Sequence, residues 1–341
     1  MVHLFARDTI YRLASVALLV LLSPCKLGLT ESPPFTIITT TNIIADTARS
    51  IAGTSPGTNP GTSPGSTPGT IPGTAAETEG GTGIVITPLM REGVDPHTYK
   101  PSPGDLRALS QASLILFNGL HLEGKMADVF EKLSKRQPVV AVTDSIPHDR
   151  LRTTSTIAVA HDPHVWFDVS LWILASERIR DALSEYNPAH KAGYHSRFAA
   201  LRERLIALDL WCASELRTIP QDSRLLVTSH DAFGYFGAAY DIEVLGVQGV
   251  STDSEASLRD INNLVRTLSM RRIPAVFIET SVSPKMVEAL VEGARAQGHA
   301  ISIGGTLFSD SLGSPATPEG TYEGMVRHNV TTIKKALSRG K

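Results

Sequence analysis

Short apolar strands alternate with amphipathic helices along most of this sequence, and one long helical stretch interrupts the alternation. In that stretch, from about Ala189 to Arg217, apolar side chains recur at helical spacing, as at Phe198, Leu201, Leu205 and Leu208. A helix of this length would measure roughly 40 Å, enough to cross a whole domain. Strands that alternate with helices predict parallel sheets with right-handed crossovers. We therefore predict an α/β protein of two lobes, each a parallel sheet flanked by helices, joined by one long helix.

The predicted organisation divides the 341 residues into four parts. Residues 1–24 are predicted to form an export signal, 25–187 an N-terminal lobe, 188–219 the linking helix, and 220–341 a C-terminal lobe. Strands are predicted in the first lobe at 35–41, 84–86, 114–117 and 139–142, and in the second at 225–228, 242–245, 275–278 and 300–303. Residues 304–318 are predicted to form a loop that contains Asp310.

The first 25 residues have the pattern of an export signal. Arg7 and Arg12 precede an apolar run, Leu13 to Leu22. This run is shorter than the roughly 20 residues of a membrane-spanning helix. The run ends in Leu-Ser-Pro-Cys, which resembles a bacterial lipobox with Cys25 as the acylated residue. Pro24 departs from the usual small residue, so a plain secretory peptide or an uncleaved anchor remain alternatives. The expected location is the periplasm or the outer face of the cytoplasmic membrane, with a lipid or N-terminal anchor.

A repetitive segment interrupts the first lobe. Residues 54–73 are five tandem tetrapeptides, TSPG, TNPG, TSPG, STPG and TIPG, with no charge and one aliphatic side chain, Ile71. Such a segment buries too little surface to offset its chain entropy. We predict that residues 54–82 form a disordered or turn-rich surface loop. The whole chain has a formal net charge of −2, which argues against a nucleic-acid partner held by a broad basic surface.

The tripeptide Asp-Pro-His occurs twice, and its two histidines are candidate metal ligands. Each proline restricts the backbone conformation before the following histidine, His97 or His164. His97, His230 and Asp310 lie beyond the carboxyl ends of predicted strands, where open α/β sheets bind ligands, and His164 lies in an equivalent loop before a helix. Three imidazoles and one carboxylate would suit zinc, or manganese if Asp310 binds through both oxygens. Taken singly, each histidine is better explained as a structural residue than as a ligand, and only as a set on matching loops do they become candidate ligands.

Other polar residues near these loops are assigned different roles. We predict that His161 is exposed, that His121 packs or supports a ligand, and that Asp168 and Asp231 begin helices or support ligands. Glu279 ends a strand at the same rim and could orient a ligand. Four further histidines lie in polar or helical surface patterns: His190, His195, His299 and His328. Cys212 lies in a helical pattern and is expected to be a buried small apolar residue.

Seven segments together resemble the metal-binding proteins of bacterial ABC importers, the TroA-like group (cluster A-I). In chain order they are DPHTYKPSPGDL, NGLHLEGKM, HDPHVWFDV, SHDAFGYF, LGVQGVST, FIETSVSPK and IGGTLFSDSLG. The resemblance covers residues 35 to 338 apart from the Pro-Gly insert. It implies that His97 and His164 are the ligands of the first lobe, and His230 and Asp310 those of the second.

The resemblance also implies a function and a partner. The protein would capture one zinc or manganese ion outside the cytoplasmic membrane, with iron as a further candidate, and pass it to an ABC permease as a monomer without catalysing a reaction. Manganese-type members often have glutamate at the position of His230, and zinc-specific members often have a His/Asp-rich loop. Since this chain has neither feature, the metal stays open.

Two alternative functions come from different classes of protein. A secreted zinc hydrolase is disfavoured because there is no His-Glu-x-x-His motif and because four protein ligands leave no position for an activated water. A surface adhesin with a structural metal would suit an exposed Pro-Gly loop.

Overall fold

The computed structural model describes residues 33–54, 83–154, 161–254 and 256–338. The predicted export signal (1–24), Cys25 and nearly all of the predicted loop 54–82 therefore lie outside the described residues. Across the described ranges, no helix is both long enough and apolar enough to cross a bilayer.

The N-terminal lobe is built on a parallel four-stranded sheet with strand order β2-β1-β3-β4. Its central strands are apolar and buried, as expected for a parallel sheet covered on both faces. The elements are β1 (Phe35–Thr39), α1 (Asn42–Ala52), β2 (Ile84–Pro88), α2 (Pro103–Gln111), β3 (Leu114–Phe117), α3 (Ala127–Ser134), β4 (Val139–Ala141) and α4 (Val169–Tyr186). The sequence pattern did not predict α3.

Side-chain caps fix the helices that follow the two Asp-Pro-His segments. Ser102 and Asp105 form a reciprocal capping box at the start of α2. Asp168 caps α4 by accepting hydrogen bonds from the backbone N–H groups of Ser170 and Leu171, which confirms its predicted role at a helix start. Each cap lies a few residues after a candidate ligand, so it sets where the ligand-bearing loop ends.

The long linking helix is present as α5 (Lys191–Leu216), whose 26 residues span about 39 Å. Its buried side chains recur every three or four residues and form one stripe along the helix. The stripe consists of Tyr194, Phe198, Leu201, Leu205, Leu208, Cys212 and Leu216. This confirms both the predicted helix and the burial of Cys212.

The C-terminal lobe contains two pairs of parallel strands, β5 with β6 and β7 with β8. The elements are β5 (Leu225–His230), α6 (Gly234–Tyr240), β6 (Glu243–Gln248), α7 (Leu258–Arg271), β7 (Ala275–Glu279), α8 (Lys285–Ala296), β8 (Ser302–Leu307) and α9 (Tyr322–Leu337). The predicted bounds of β8 were wrong, because the strand continues through Gly304 and Gly305. A Cβ atom on Gly304 would lie 2.7 Å from the Cβ of Ala336 in α9, so glycine is what lets β8 pass beneath that helix.

One cluster of buried apolar side chains runs through both lobes. It includes Ile43 of α1, Trp172 of α4, Leu205 of α5, Phe277 of β7 and Ile333 of α9. The rings of Trp172 and Tyr322 stack with centroids 5.5 Å apart. The lobes are therefore joined by shared packing as well as by the linking helix.

Candidate metal centre

The structure brings His97, His164, His230 and Asp310 into one buried cluster. One possible ligand atom from each residue lies within 4.8 Å of those of the other three. The Nε2 atom of His164 is 3.2 Å from Nε2 of His97 and 3.4 Å from Nε2 of His230. The Asp310 oxygens Oδ1 and Oδ2 lie 3.5 Å from His164 Nε2 and 3.6 Å from His230 Nε2, respectively.

These separations can be compared with the size of a four-coordinate ion. With metal–ligand bonds of about 2.05 Å, tetrahedral geometry places neighbouring ligand atoms about 3.3 Å apart. The distances from His164 Nε2 to His97 Nε2, His230 Nε2 and Asp310 Oδ1, which are 3.2 to 3.5 Å, are close to that value. All four side chains are buried, with at most 4% of their surface exposed. The donor set and its spacing therefore fit one divalent transition-metal ion.

His164 is held by the aspartate of its own Asp-Pro-His segment. Asp162 Oδ1 accepts hydrogen bonds from the backbone N–H of His164, at 2.9 Å, and from its ring Nδ1, at 2.8 Å. An aspartate that accepts from the residue two positions later forms an Asx turn. Because Nδ1 donates to the carboxylate, Nε2 is the ring atom left to face the cluster.

His230, the last residue of β5, is held in the same way by a distant residue. Glu279, at the end of β7, accepts from the backbone N–H of His230 through Oε1, at 2.9 Å, and from its Nδ1 through Oε2, at 2.6 Å. Both side chains are fully buried. The geometry agrees with the prediction that Glu279 orients a ligand.

His97 is held by different hydrogen bonds, although it also ends an Asp-Pro-His segment. Asp95 Oδ1 accepts from the backbone N–H of His97, but Oδ2 accepts from the hydroxyls of Thr98 and Thr252 instead of from the imidazole ring. Thr252 follows β6, so Asp95 connects this ligand-bearing loop to the other lobe. The His97 ring thus has less support than the rings of His164 and His230.

The charges of the cluster follow from these contacts. Burial lowers the pKa of His97 to about 3, with Asp310 opposing the shift. Burial would also lower the pKa of His164, but its hydrogen bond with Asp162 and the nearby Asp310 carboxylate raise it to about 9. For His230, Glu279 and Asp310 likewise overcome burial and hold the pKa well above its usual value. The histidines in turn hold the pKa of Asp310 well below its usual value against the effect of burial.

The remaining predicted residues lie outside the cluster. His121 is exposed and has a positive φ of 65°, so its predicted packing or supporting role was wrong. The predicted exposure of His161 was also wrong, because the residue is half-buried and pairs with Thr153 in an isolated antiparallel bridge. His299 and His328 bind backbone carbonyls of Ile273 and Thr306.

The sequence pattern did not single out Asp162 or Ser281, which both touch the cluster. An aspartate two positions before a candidate ligand is a pattern for an Asx turn, and this was the available signal for Asp162. The hydroxyl of Ser281 donates to Asp310 Oδ2 at 2.8 Å. Its nearness to Glu279 at a strand end was the available signal.

Comparison with known proteins identifies a family and relatives that the chain resembles. The chain matches, over residues 37–336, the model of the family described as "Zinc-uptake complex component A periplasmic", ZnuA. It is 48% identical over 263 residues to the manganese-binding lipoprotein MntA of Bacillus subtilis, a match that covers 77% of this chain and 86% of the relative. It is 47% identical over 251 residues to the zinc-binding protein TroA of Treponema pallidum, covering 74% and 81% of the two chains.

The fold agrees with these sequence matches. The solved structure of the periplasmic zinc-binding protein TroA from Treponema pallidum superposes with a TM-score of 0.79 at 41% sequence identity. The superposition covers 90% of this chain and all of the TroA chain. The two-lobed α/β fold is therefore the fold of a binding protein.

Proposed function

The chain belongs to the ZnuA family of periplasmic zinc-uptake components, and we propose that it captures one zinc or manganese ion through His97, His164, His230 and Asp310. As a member of this family, it is a solute-binding protein of a metal ABC importer and not an enzyme. It works outside the cytoplasm, in the periplasm or at the outer face of the cytoplasmic membrane. The hydrolase alternative is discarded, because the family is one of transport proteins.

The convergence of three Nε2 atoms and a carboxylate is the observation that carries the ligand assignment. Two of these residues come from each half of the chain, so a bound ion would bridge the lobes. Carboxylates on the Nδ1 atoms of His164 and His230 are the usual outer partners of metal-binding histidines. The same contacts would have little reason to occur in a cluster that only packs.

The identity of the ion stays between zinc and manganese, with iron as a third candidate. The relatives in Bacillus subtilis and Treponema pallidum are named for manganese and zinc, respectively, at nearly equal identity to this chain. Three nitrogen donors favour zinc over manganese, which prefers oxygen. Metal analysis of protein purified from its native host measures the cargo directly.

Single alanine variants of the four residues test the ligand assignment. We expect each to lower zinc affinity more than the roughly 10- to 100-fold typical for an outer partner of a metal ligand. His121→Ala is the matched control, because it removes an exposed imidazole outside the cluster. Two or more variants that keep the wild-type affinity would overturn the assignment.

A permease in the cytoplasmic membrane is the partner of this protein class, and we propose that the chain reaches it as a lipid-anchored monomer. The anchor would be Cys25, in the segment Leu-Ser-Pro-Cys. The name of the Bacillus subtilis relative, a lipoprotein, supports this. Cys25→Ser should release the protein from washed membranes, whereas an unchanged membrane fraction would point to an N-terminal peptide anchor. Light scattering on the released protein measures its oligomeric state.

A further inference from the structure

The two carboxylate oxygens of Asp310 have unequal surroundings. Oδ2 lies 2.8 Å from the hydroxyl of Ser281 and 3.4 Å from that of Ser309. Oδ1 is buried and, among the residues that the structure describes, has no hydrogen-bond partner. One oxygen is therefore already engaged by the protein, and the other is left for an ion.

The hydroxyl protons can be assigned by counting donors. An ionised carboxylate only accepts, and each serine hydroxyl has one proton to donate. Ser281 is the nearer donor to Asp310 Oδ2, at 2.8 Å against 3.4 Å for Ser309. With the Ser281 proton given to Oδ2, the 2.8 Å contact between the two hydroxyls is a donation from Ser309 to Ser281. Such a chain of hydrogen bonds strengthens its last member, the bond that holds Oδ2.

The rest of the fold holds this arrangement in place. Ser281 lies two residues after Glu279, the end of β7, and Ser309 lies two residues after Leu307, the end of β8. The Ser309 carbonyl accepts from Nε1 of Trp166, in the N-terminal lobe, at 2.9 Å. The serine pair is thus supported from both lobes, independently of the histidines.

We propose that Ser281 is a positioning residue that sets metal selectivity by holding Asp310 to single-oxygen binding. The inference rests on the proposed function of the site. With Oδ2 held, three imidazole nitrogens and Oδ1 supply four ligands, which is the number that zinc prefers. Manganese prefers more oxygen ligands and a higher coordination number, to which Asp310 would contribute by binding through both oxygens.

The position of Oδ2 shows why the hydroxyl matters. Oδ2 is 3.6 Å from His230 Nε2, and Oδ1 is 3.5 Å from His164 Nε2, so both oxygens lie at the edge of the same cluster. A small rotation of the carboxylate would present both to one ion. The hydrogen bond from Ser281 opposes that rotation.

The test compares Ser281→Ala with Ser281→Thr, which keeps the hydroxyl. Zinc and manganese dissociation constants are measured by competition with a chelator. The absorption spectrum of the cobalt(II) form reports coordination, because four-coordinate cobalt absorbs far more strongly than six-coordinate cobalt. We expect Ser281→Ala to lower the zinc-to-manganese affinity ratio by about tenfold or more, in the range typical for an outer partner of a metal ligand. The cobalt absorption should weaken with it.

Two further variants test whether the effect comes from the hydrogen bond to Asp310. Ser283→Ala removes an exposed hydroxyl from the same loop and should change neither the affinity ratio nor the cobalt spectrum. Ser309→Ala, which removes the donor to Ser281, should shift the ratio in the same direction by a smaller factor.

An unchanged ratio and spectrum in Ser281→Ala would overturn the inference, and so would a threonine variant that behaves like alanine. Wild-type protein that binds none of zinc, manganese and cobalt(II) would instead overturn the proposed function.

Discussion

Replacing Glu279 by glutamine should weaken zinc binding without removing any ligand. Glu279 accepts two hydrogen bonds from His230, and glutamine of the same size has only one acceptor oxygen. If the amide NH₂ faces the ring, the imidazole proton must move from Nδ1 to Nε2, the atom that faces the cluster. If the NH₂ faces the backbone N–H, two donors oppose each other in a buried site. A bound ion requires Nε2 without a proton, so in the metal-bound form Nδ1–H and the backbone N–H share one acceptor oxygen, and one of the two hydrogen bonds that Glu279 accepts is lost.

The size of the effect follows from that lost bond. A hydrogen bond to a charged group contributes about 1.5–3 kcal/mol. At about 1.4 kcal/mol per tenfold change, the zinc dissociation constant should rise roughly 10- to 150-fold. This range overlaps the roughly 10- to 100-fold seen when outer partners of metal ligands are removed.

Competition titration with a zinc chelator at constant pH is the appropriate assay, with circular dichroism to confirm the fold. Asp46→Asn is the control, because Asp46 accepts the backbone N–H of Tyr322 in α9 and not a hydrogen bond from a candidate ligand. We expect it to alter thermal stability and leave zinc affinity unchanged. A folded Glu279→Gln protein whose zinc affinity stays within about threefold of wild type would refute the reasoning.

Three further predictions concern protons, the Pro-Gly segment and shape. At pH 7 the raised pKa values leave His164 and His230 protonated in the metal-free protein, so calorimetry in buffers of different ionisation enthalpy should show about two protons released per ion bound. Metal affinity should rise with pH up to about 9, the pKa of His164, and a pH-independent affinity would contradict this. The protonated histidines stabilise the metal-free protein fully below about pH 6.5, and this stabilisation should be lost as the pH rises from there to about 9. Replacing residues 54–82 with a short Gly-Ser bridge should preserve cooperative unfolding and metal binding, and loss of either would show that the segment is structural. Small-angle scattering should give nearly equal radii of gyration with and without metal, and a wide hinge closure would refute the stiff connection through α5.

Elements whose signals are local could be predicted from the sequence. The start of α2 was visible in Ser102, Pro103 and Asp105, because a capping box involves residues within one turn. The continuation of β8 was not visible, because Gly304 and Gly305 usually end strands. Only the packing of α9 above them shows why glycine is needed there.

The two Asp-Pro-His segments show the same limit within the site. The tripeptides are identical, and in both the aspartate accepts the backbone N–H of the histidine. The Asp162 carboxylate also binds its histidine ring, whereas the Asp95 carboxylate binds Thr252 of the other lobe. That difference depends on which residues lie opposite each loop. The four candidate ligands could therefore be named from the sequence, but the hydrogen bonds that orient them could not.

The continuous core beneath the lobes means that the two halves are not interchangeable modules. A fragment that ended at residue 187, or one that began at residue 220, would expose the apolar faces that now meet at Trp172 and Tyr322. Each half therefore completes the other's interior, and neither is expected to fold alone. Exchange of a lobe between relatives would succeed only if the aromatic packing along α4, α5 and α9 were exchanged with it.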